Sequence, residues 1–171
     1  SALCRLNRQG ELLRSSLDMR RLLTEAARFG DLSDGRFDVT VQPLWRLLAT
    51  HRAAGTVPPC EDLRAALALV DYHRIEITSR RIRFNRPGMG VTLNGIAQGY
   101  VTDRVAELLR ARGIKHVLLD LGEMRALGPK PDGRPWRIGV RDPGRPEHTL
   151  REFDAIDRAV ATSAGTADLN I

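Results

Sequence analysis

The chain has 171 residues, and 42% of them are hydrophobic. This suffices for one domain with a hydrophobic core, but the chain is too short for two domains. Its formal charge of +6 invites a nucleic-acid-binding interpretation. However, Lys115 and Lys130 are its only lysines, so 25 of the 27 basic residues are arginines, and these are scattered along every segment. No apolar run approaches the roughly 20 residues that span a bilayer. We therefore expect one soluble domain over residues 1–171. We also expect this domain to be truncated, since the chain lacks an initial Met and ends directly after an apolar run.

The N-terminal half is predicted to be mainly helical. Apolar residues at helical spacing indicate a first helix over residues 19–29, closed by Gly30. Residues 37–43 alternate apolar and polar side chains, which favours a short strand. A second helix is predicted from Leu44 and a third over residues 61–73.

The rest of the chain is predicted to be mainly β. Residues 75–78 and 81–84 alternate around a two-residue turn, as in a hairpin with one buried face. A short strand at 91–93 leads into a long helix that begins at Asn94-Gly95 and is closed by Gly113. Further strands are predicted at residues 117–121, 136–141 and 159–163. Helices followed by a mainly antiparallel or mixed sheet, with one long crossing helix, predict an α+β fold.

The junction between the 91–93 strand and the long helix is a candidate anion site. Free N–H groups and the positive end of the helix dipole favour phosphate at such a position. Gly95, Ala97 and Gly99 would let a ligand approach the backbone closely. From the residues alone, helix packing explains these small side chains equally well, and their spacing fits neither a GxGxxG nor a Walker motif.

Four segments of the chain carry motifs in a fixed order, namely residues 35–44, 92–103, 119–143 and 159–165. In that order they resemble the motifs of the ApbE family of flavin transferases. Residues 35–44 resemble its G-x-F-D-x-T-x-x-P-L segment, and residues 92–103 its D-L-G-G-I-A-K-G-Y-A-V-D segment. Residues 119–143 are similar to its glycine-rich turn and P-W-x-V-x-I-x-D-P strand, and residues 159–165 to its A-V-A-T-S-G. The resemblance implies an ApbE-like α+β fold.

The resemblance also implies an activity. Such enzymes bind FAD and, with Mg²⁺, transfer its FMN half to a Thr or Ser hydroxyl of an acceptor flavoprotein, releasing AMP. By position, the implied FAD contacts are Arg36, Phe37, Asp38, Thr92 and Gln98, and the implied Mg²⁺ contact is the backbone carbonyl of Gly95.

Several of these residues have a second interpretation or depart from the family pattern. Asp38 is equally suited to ordering its own loop as an Asx turn, and Phe37 to core packing. Thr92 replaces the family's Asp and Gln98 its Lys, so a charge pair has become two neutral hydrogen-bonding groups.

The family's segments that supply its base and its Mg²⁺-binding Asp and Thr side chains would follow Ser163. No catalytic residue is therefore assigned, and we expect this segment alone to be inactive. The implied partner is a membrane-associated redox flavoprotein; relatives are often exported or membrane-anchored, but this sequence assigns no location. Two alternatives stay open: an FAD-binding or FAD-hydrolysing relative without a protein acceptor and, more remotely, a basic nucleic-acid-binding domain.

Overall fold

The structure, a computed structural model, describes residues 1–163. They divide into two compact units, the first spanning Ser1–Ile96 and the second beginning at Ala97. The helices are α1 (Ala2–Gln9), α2 (Leu17–Leu32), α3 (Gln42–Ala53), α4 (Cys60–Leu67) and α5 (Ala97–Ala111). The strands are β1 (Glu11–Leu13), β2 (Ile75–Ile77), β3 (Arg81–Phe84), β4 (Val117–Asp120), β5 (Met124–Leu127), β6 (Trp136–Asp142), β7 (Arg145–Ala155) and β8 (Ala159–Val160). The α+β prediction is confirmed, and that of one domain over 1–171 stays a prediction.

The strands form three small antiparallel sheets within residues 1–163. In the first unit the order is β1-β3-β2, and the predicted hairpin supplies its β2 and β3. In the second unit one sheet has the order β4-β5-β8, and β6 pairs with β7 as a separate two-stranded sheet. No helix in the described part of the chain is long and apolar enough to cross a membrane.

The core of the first unit forms against α2, which buries Leu22, Leu23 and Ala26 on one face, as their spacing predicts. The predicted closure at Gly30 is wrong, because the helix continues to Leu32. Gly30 instead lies inside the helix, where a Cβ atom would come within 2.7 Å of the Tyr72 ring. Glycine is therefore required at this position for close packing rather than for ending the helix.

Two predicted strands of the first unit do not form. The 37–43 stretch contains a 3-10 turn over Val39–Val41, capped by Asp38, and then the first residues of α3. Residues 91–93 have no strand ladder. In both places side-chain hydrogen bonds hold the backbone instead of a sheet. The third predicted helix is also shorter than expected, because α4 ends at Leu67.

The second unit is built on α5, which packs on β4 and β5. Gly113 follows this helix in the left-handed conformation at φ 83°, consistent with its predicted role. Strands β4 and β6 are confirmed, whereas β8 is shorter than predicted. Between the two sheets a small core contains Ala126, Ile138 and Ala155, with partly buried apolar neighbours around it. The sequence prediction lacked α1, β1, β5 and β7.

Candidate functional site

The loop that follows α2 carries three of the residues implied by the family resemblance. The chain reverses through Asp34 and Gly35, whose φ angles are 52° and 75°. The Phe37 N–H then donates to the Ser33 Oγ over 2.9 Å. The Arg36 side chain is exposed, and its guanidinium has no hydrogen-bond or ion-pair partner among residues 1–163. The loop is ordered by its backbone and leaves a cationic group free.

Asp38 organises this loop through three accepted hydrogen bonds. Its Oδ1 accepts from the backbone N–H and the hydroxyl of Thr40, at 2.7 and 2.5 Å, and its Oδ2 accepts from the Tyr72 N–H at 3.2 Å. The buried Thr40 Oγ1 also accepts the Asp71 N–H at 2.7 Å. This is the Asx-turn arrangement that the sequence left open, extended by a long-range bond to a second turn.

Tyr72 ties that second turn to the end of α2. Its ring is buried against Gly30, and its hydroxyl donates to the Asp31 Oδ1 over 2.9 Å. Burial, and then the hydrogen bond to the Asp31 carboxylate, raise the pKa of the Tyr72 phenol. The phenol therefore stays protonated at physiological pH and donates to Asp31, which holds the turn at Tyr72 against the end of α2.

A backbone hydrogen bond joins the 36–39 loop to the 91–95 segment. The Thr92 N–H donates to the carbonyl of the buried Val39 over 2.8 Å. Farther along, a Cβ atom on Gly95 would lie 3.3 Å from the Phe37 ring, so the ring sits close to the Gly95 backbone. The structure thus brings together five of the six implied residues, all in the first unit.

Asn7 of α1 is a residue of this site that sequence reasoning missed. Its Nδ2 donates to the Val91 carbonyl, and its Oδ1 accepts the Val91 N–H, both at 2.8 Å. The two residues are 84 positions apart. No local pattern predicts such a contact, because α1 itself was not predicted and an amide side chain has no periodic partner.

Gln98, the sixth implied residue, lies in the second unit near the start of α5. Its exposed side chain donates from Nε2 to the Leu121 carbonyl over 2.9 Å. Gly122 follows with φ 94°, and a Cβ atom there would overlap the Gln98 Nε2 at 1.7 Å. Gln98 is therefore held against a turn whose glycine leaves room for it.

A cleft of about 720 Å³ lies in the first unit and includes none of the six implied residues, although Asn7 is part of its lining. Its lining contains four arginines, Arg8, Arg46, Arg83 and Arg86. Arg83 is paired with Glu76 at 2.9 Å, and Arg86 donates to a backbone carbonyl. The concave part of the surface and the implied contacts are thus different places in this unit.

The described side chains do not form a metal centre by themselves. Among residues 1–163 there is no group of three or more His, Cys, Asp or Glu side chains placed to hold a metal ion. A metal contact at Gly95 would use its backbone carbonyl, and Gly95 is exposed.

Comparison with known proteins identifies the family. The family model described as "ApbE family" matches residues 1–168. The chain is 33% identical over 146 residues to the FAD:protein FMN transferase of Vibrio cholerae serotype O1, a match that covers 83% of this chain and 44% of that protein. It is 27% identical over 173 residues to the FAD:protein FMN transferase of Salmonella typhimurium, covering 95% of this chain and 49% of that protein.

Solved structures agree with this assignment. The flavin transferase ApbE from Vibrio cholerae superposes with a TM-score of 0.78 at 29% identity, over 96% of this chain and 55% of that one. The ApbE protein from Thermotoga maritima superposes with a TM-score of 0.82 at 29% identity, over 95% of this chain and 54% of that one. The chain spans about half the length of the relatives it matches. By sequence and fold, it belongs to the ApbE family.

Proposed function

We propose that this chain is part of a Mg²⁺-dependent FAD:protein FMN transferase. FAD is the substrate, its FMN half is transferred to a Thr or Ser hydroxyl of an acceptor flavoprotein, and AMP is released. The observation that carries the proposal is the junction of the 36–39 loop with the 91–95 segment, joined by the 2.8 Å bond between Thr92 and Val39. Both segments belong to the stretch that matches the family model.

Each residue of the junction has a chemical role in this proposal. The unpaired guanidinium of Arg36 is suited to a phosphate oxygen, because its planar donors match that geometry. The Phe37 ring, close to the Gly95 backbone, offers an apolar surface to an aromatic ligand. Asp38 has its carboxylate engaged within the protein, so its first role is to hold the loop in shape.

Gln98 is the remaining residue that the family resemblance implies, and it belongs to the second unit. Its Nε2 is engaged with Leu121, whereas its Oε1 accepts no hydrogen bond from residues 1–163. That oxygen is free to accept from a donor such as a ribose hydroxyl. The neutral amide retains hydrogen bonding where the family's Lys would supply a charge.

In the proposed reaction the acceptor hydroxyl loses its proton and its oxygen bonds to the FMN phosphorus. The bond between that phosphorus and the bridging oxygen breaks, and this oxygen leaves with AMP. Charge neutralisation and positioning supply most of the rate in phosphoryl transfer. Among the implied contacts, Arg36 is the residue that would neutralise phosphate charge. The described residues include no assigned base. The side chains of residues 1–163 also form no metal centre, so the proposed Mg²⁺ dependence comes from the family resemblance.

FAD binding tests the proposal first. Flavin fluorescence or calorimetry on the complete gene product, with and without Mg²⁺, should show Mg²⁺-sensitive binding, and this 171-residue chain alone should bind weakly. Arg36→Ala should weaken binding by about tenfold, as expected for loss of a charge-assisted phosphate contact. Arg52→Ala, which removes another exposed arginine of the same unit, should leave binding unchanged.

Transfer is tested with a flavin-acceptor protein, by in-gel flavin fluorescence and by release of AMP. Transfer by the complete gene product and none by this chain is the expected result. Release of AMP and FMN without labelling would instead favour the FAD-hydrolysing alternative, which the Thr92 and Gln98 replacements motivate. Failure of the complete gene product to bind FAD at all would reject both. A membrane-associated redox flavoprotein as the natural acceptor is part of the proposal.

A further inference from the structure

The Asn7 side chain contacts the 91–95 segment at two points. It donates to the Val91 carbonyl and accepts the Val91 N–H, both over 2.8 Å, so one amide satisfies both polar groups of one backbone residue. This is the bonding that a neighbouring β-strand would supply. The amide of Asn suits this purpose, because it carries a donor and an acceptor side by side on one planar group at any physiological pH.

The contact replaces a sheet ladder that residues 91–93 lack. Val91 is fully buried, so water cannot take over the bonds that Asn7 makes. The next residue, Thr92, donates its N–H to Val39 in the 36–39 loop. The position of the 91–95 segment therefore depends on two successive backbone residues, one held by α1 and one by the loop.

We propose that Asn7 is a positioning residue for flavin binding. By fixing Val91, it sets the place of Thr92 and Gly95 relative to Arg36 and Phe37, without itself touching the ligand. The inference rests on the proposed function, since it concerns the same FAD site. It predicts that FAD affinity depends on a residue whose hydrogen bonds are all made to the protein.

The test uses FAD titration of the complete gene product at a temperature where thermal unfolding shows each variant to be folded. Asn7→Ala removes both bonds and should weaken FAD binding by about tenfold, the size of one or two net hydrogen bonds. Asn7→Gln keeps a donor and an acceptor on a side chain that is one methylene longer, and should weaken binding less. Gln9→Ala, which removes an exposed amide from the same helix, is the matched control and should change affinity less than about twofold.

Two further readouts separate positioning from general stability. The visible absorption spectrum of bound FAD should shift in Asn7→Ala, and amide hydrogen exchange at Val91 and Thr92 should accelerate while exchange in the buried face of α2 stays slow. If Asn7→Ala does not fold, Asn7→Gln decides. If the folded variants bind FAD with wild-type affinity, or if their loss of affinity only follows the unfolded fraction, this inference is overturned and the proposed function is not. Failure of the wild-type protein to bind FAD rejects the proposed function, and this inference with it.

Discussion

The two units of this chain are stabilised in different ways. Among the described residues, thirteen of the eighteen buried hydrophobic residues lie in the first unit and five in the second. In the first unit, part-buried side chains also bond to distant backbone, as Asn7 does to Val91 and Asp38 to Tyr72. The comparable bond of the second unit, from the Gly128 N–H to the Asp157 carboxylate, is exposed. In the second, the longest strand, β7, is exposed along its length except at Ala155.

This difference concerns the interactions that stabilise backbone outside helices and sheets in each unit. The 36–39 loop and the 91–95 segment have no sheet ladder, and their conformation depends on buried or half-buried polar contacts over a core. The Gln98 contact in the second unit is one exposed hydrogen bond to a turn. We therefore expect substitutions in the first unit to cost more stability than comparable ones in the second.

The largest effect should come from the core of the first unit. Leu23 is fully buried on α2, so Leu23→Ala should lower the free energy of unfolding by about 3 kcal/mol through lost burial and a cavity. Leu17 begins the same helix and is 52% exposed, and Leu17→Ala should cost less than about 1 kcal/mol. Urea unfolding measures both. Equal costs would show that the apolar face of α2 is not the core that supports this unit.

The next effect concerns matched carboxylates in the two units. Asp38→Ala removes the acceptor of three hydrogen bonds and should destabilise the chain by about 2 kcal/mol, since it leaves part-buried donors unpaired. Asp120→Ala in the second unit removes one exposed bond to the Gly122 N–H and should cost about 0.5 kcal/mol. A reversed order in chemical unfolding would contradict the distinction between the units.

Two glycines inside helices should respond with opposite sign. A Cβ atom on Gly30 would meet the Tyr72 ring at 2.7 Å, so Gly30→Ala should destabilise by about 1 to 2 kcal/mol through overpacking. Gly99 of α5 has no atom within 4 Å of such a Cβ, and Gly99→Ala should stabilise by about 0.5 to 1 kcal/mol through helix propensity. Thermal unfolding distinguishes the signs, and stabilisation by both would mean that Tyr72 does not hold the end of α2.

The smallest effect is expected at Gln98. Because its bond to Leu121 is single and exposed, Gln98→Ala should change the free energy of unfolding by no more than about 0.5 kcal/mol. Gly122→Ala should cost more, since the φ of 94° disfavours a side chain and Cβ would displace Gln98. A loss at Gln98 as large as at Asp38 would show that the second unit also depends on this contact.

Periodic and local signals in the sequence predicted much of the framework. Spacing and turn residues predicted the apolar face of α2, the β2–β3 hairpin and the stretch of α5 before Gly113. They also predicted a helix at α3, although from Leu44 instead of Gln42. Strand β7 was missed, because its exposed, mostly polar residues carry no alternating apolar pattern. The motifs of the family resemblance pointed to the 36–39 loop and the 91–95 segment, although not to their conformations.

What the sequence determined by itself is the α+β class and the ApbE family, since both follow from patterns of neighbouring residues. It also predicts the contacts that the family implies. Only the tertiary structure decided how those contacts are held. The alternation at 37–43 favoured a strand, but the Asp38 carboxylate accepts hydrogen bonds from the N–H and the hydroxyl of Thr40 and stabilises a turn instead. The bond between Asn7 and Val91 joins residues 84 positions apart, and one side-chain amide leaves no periodic trace in the sequence. Such contacts exist only once the core has brought both partners together.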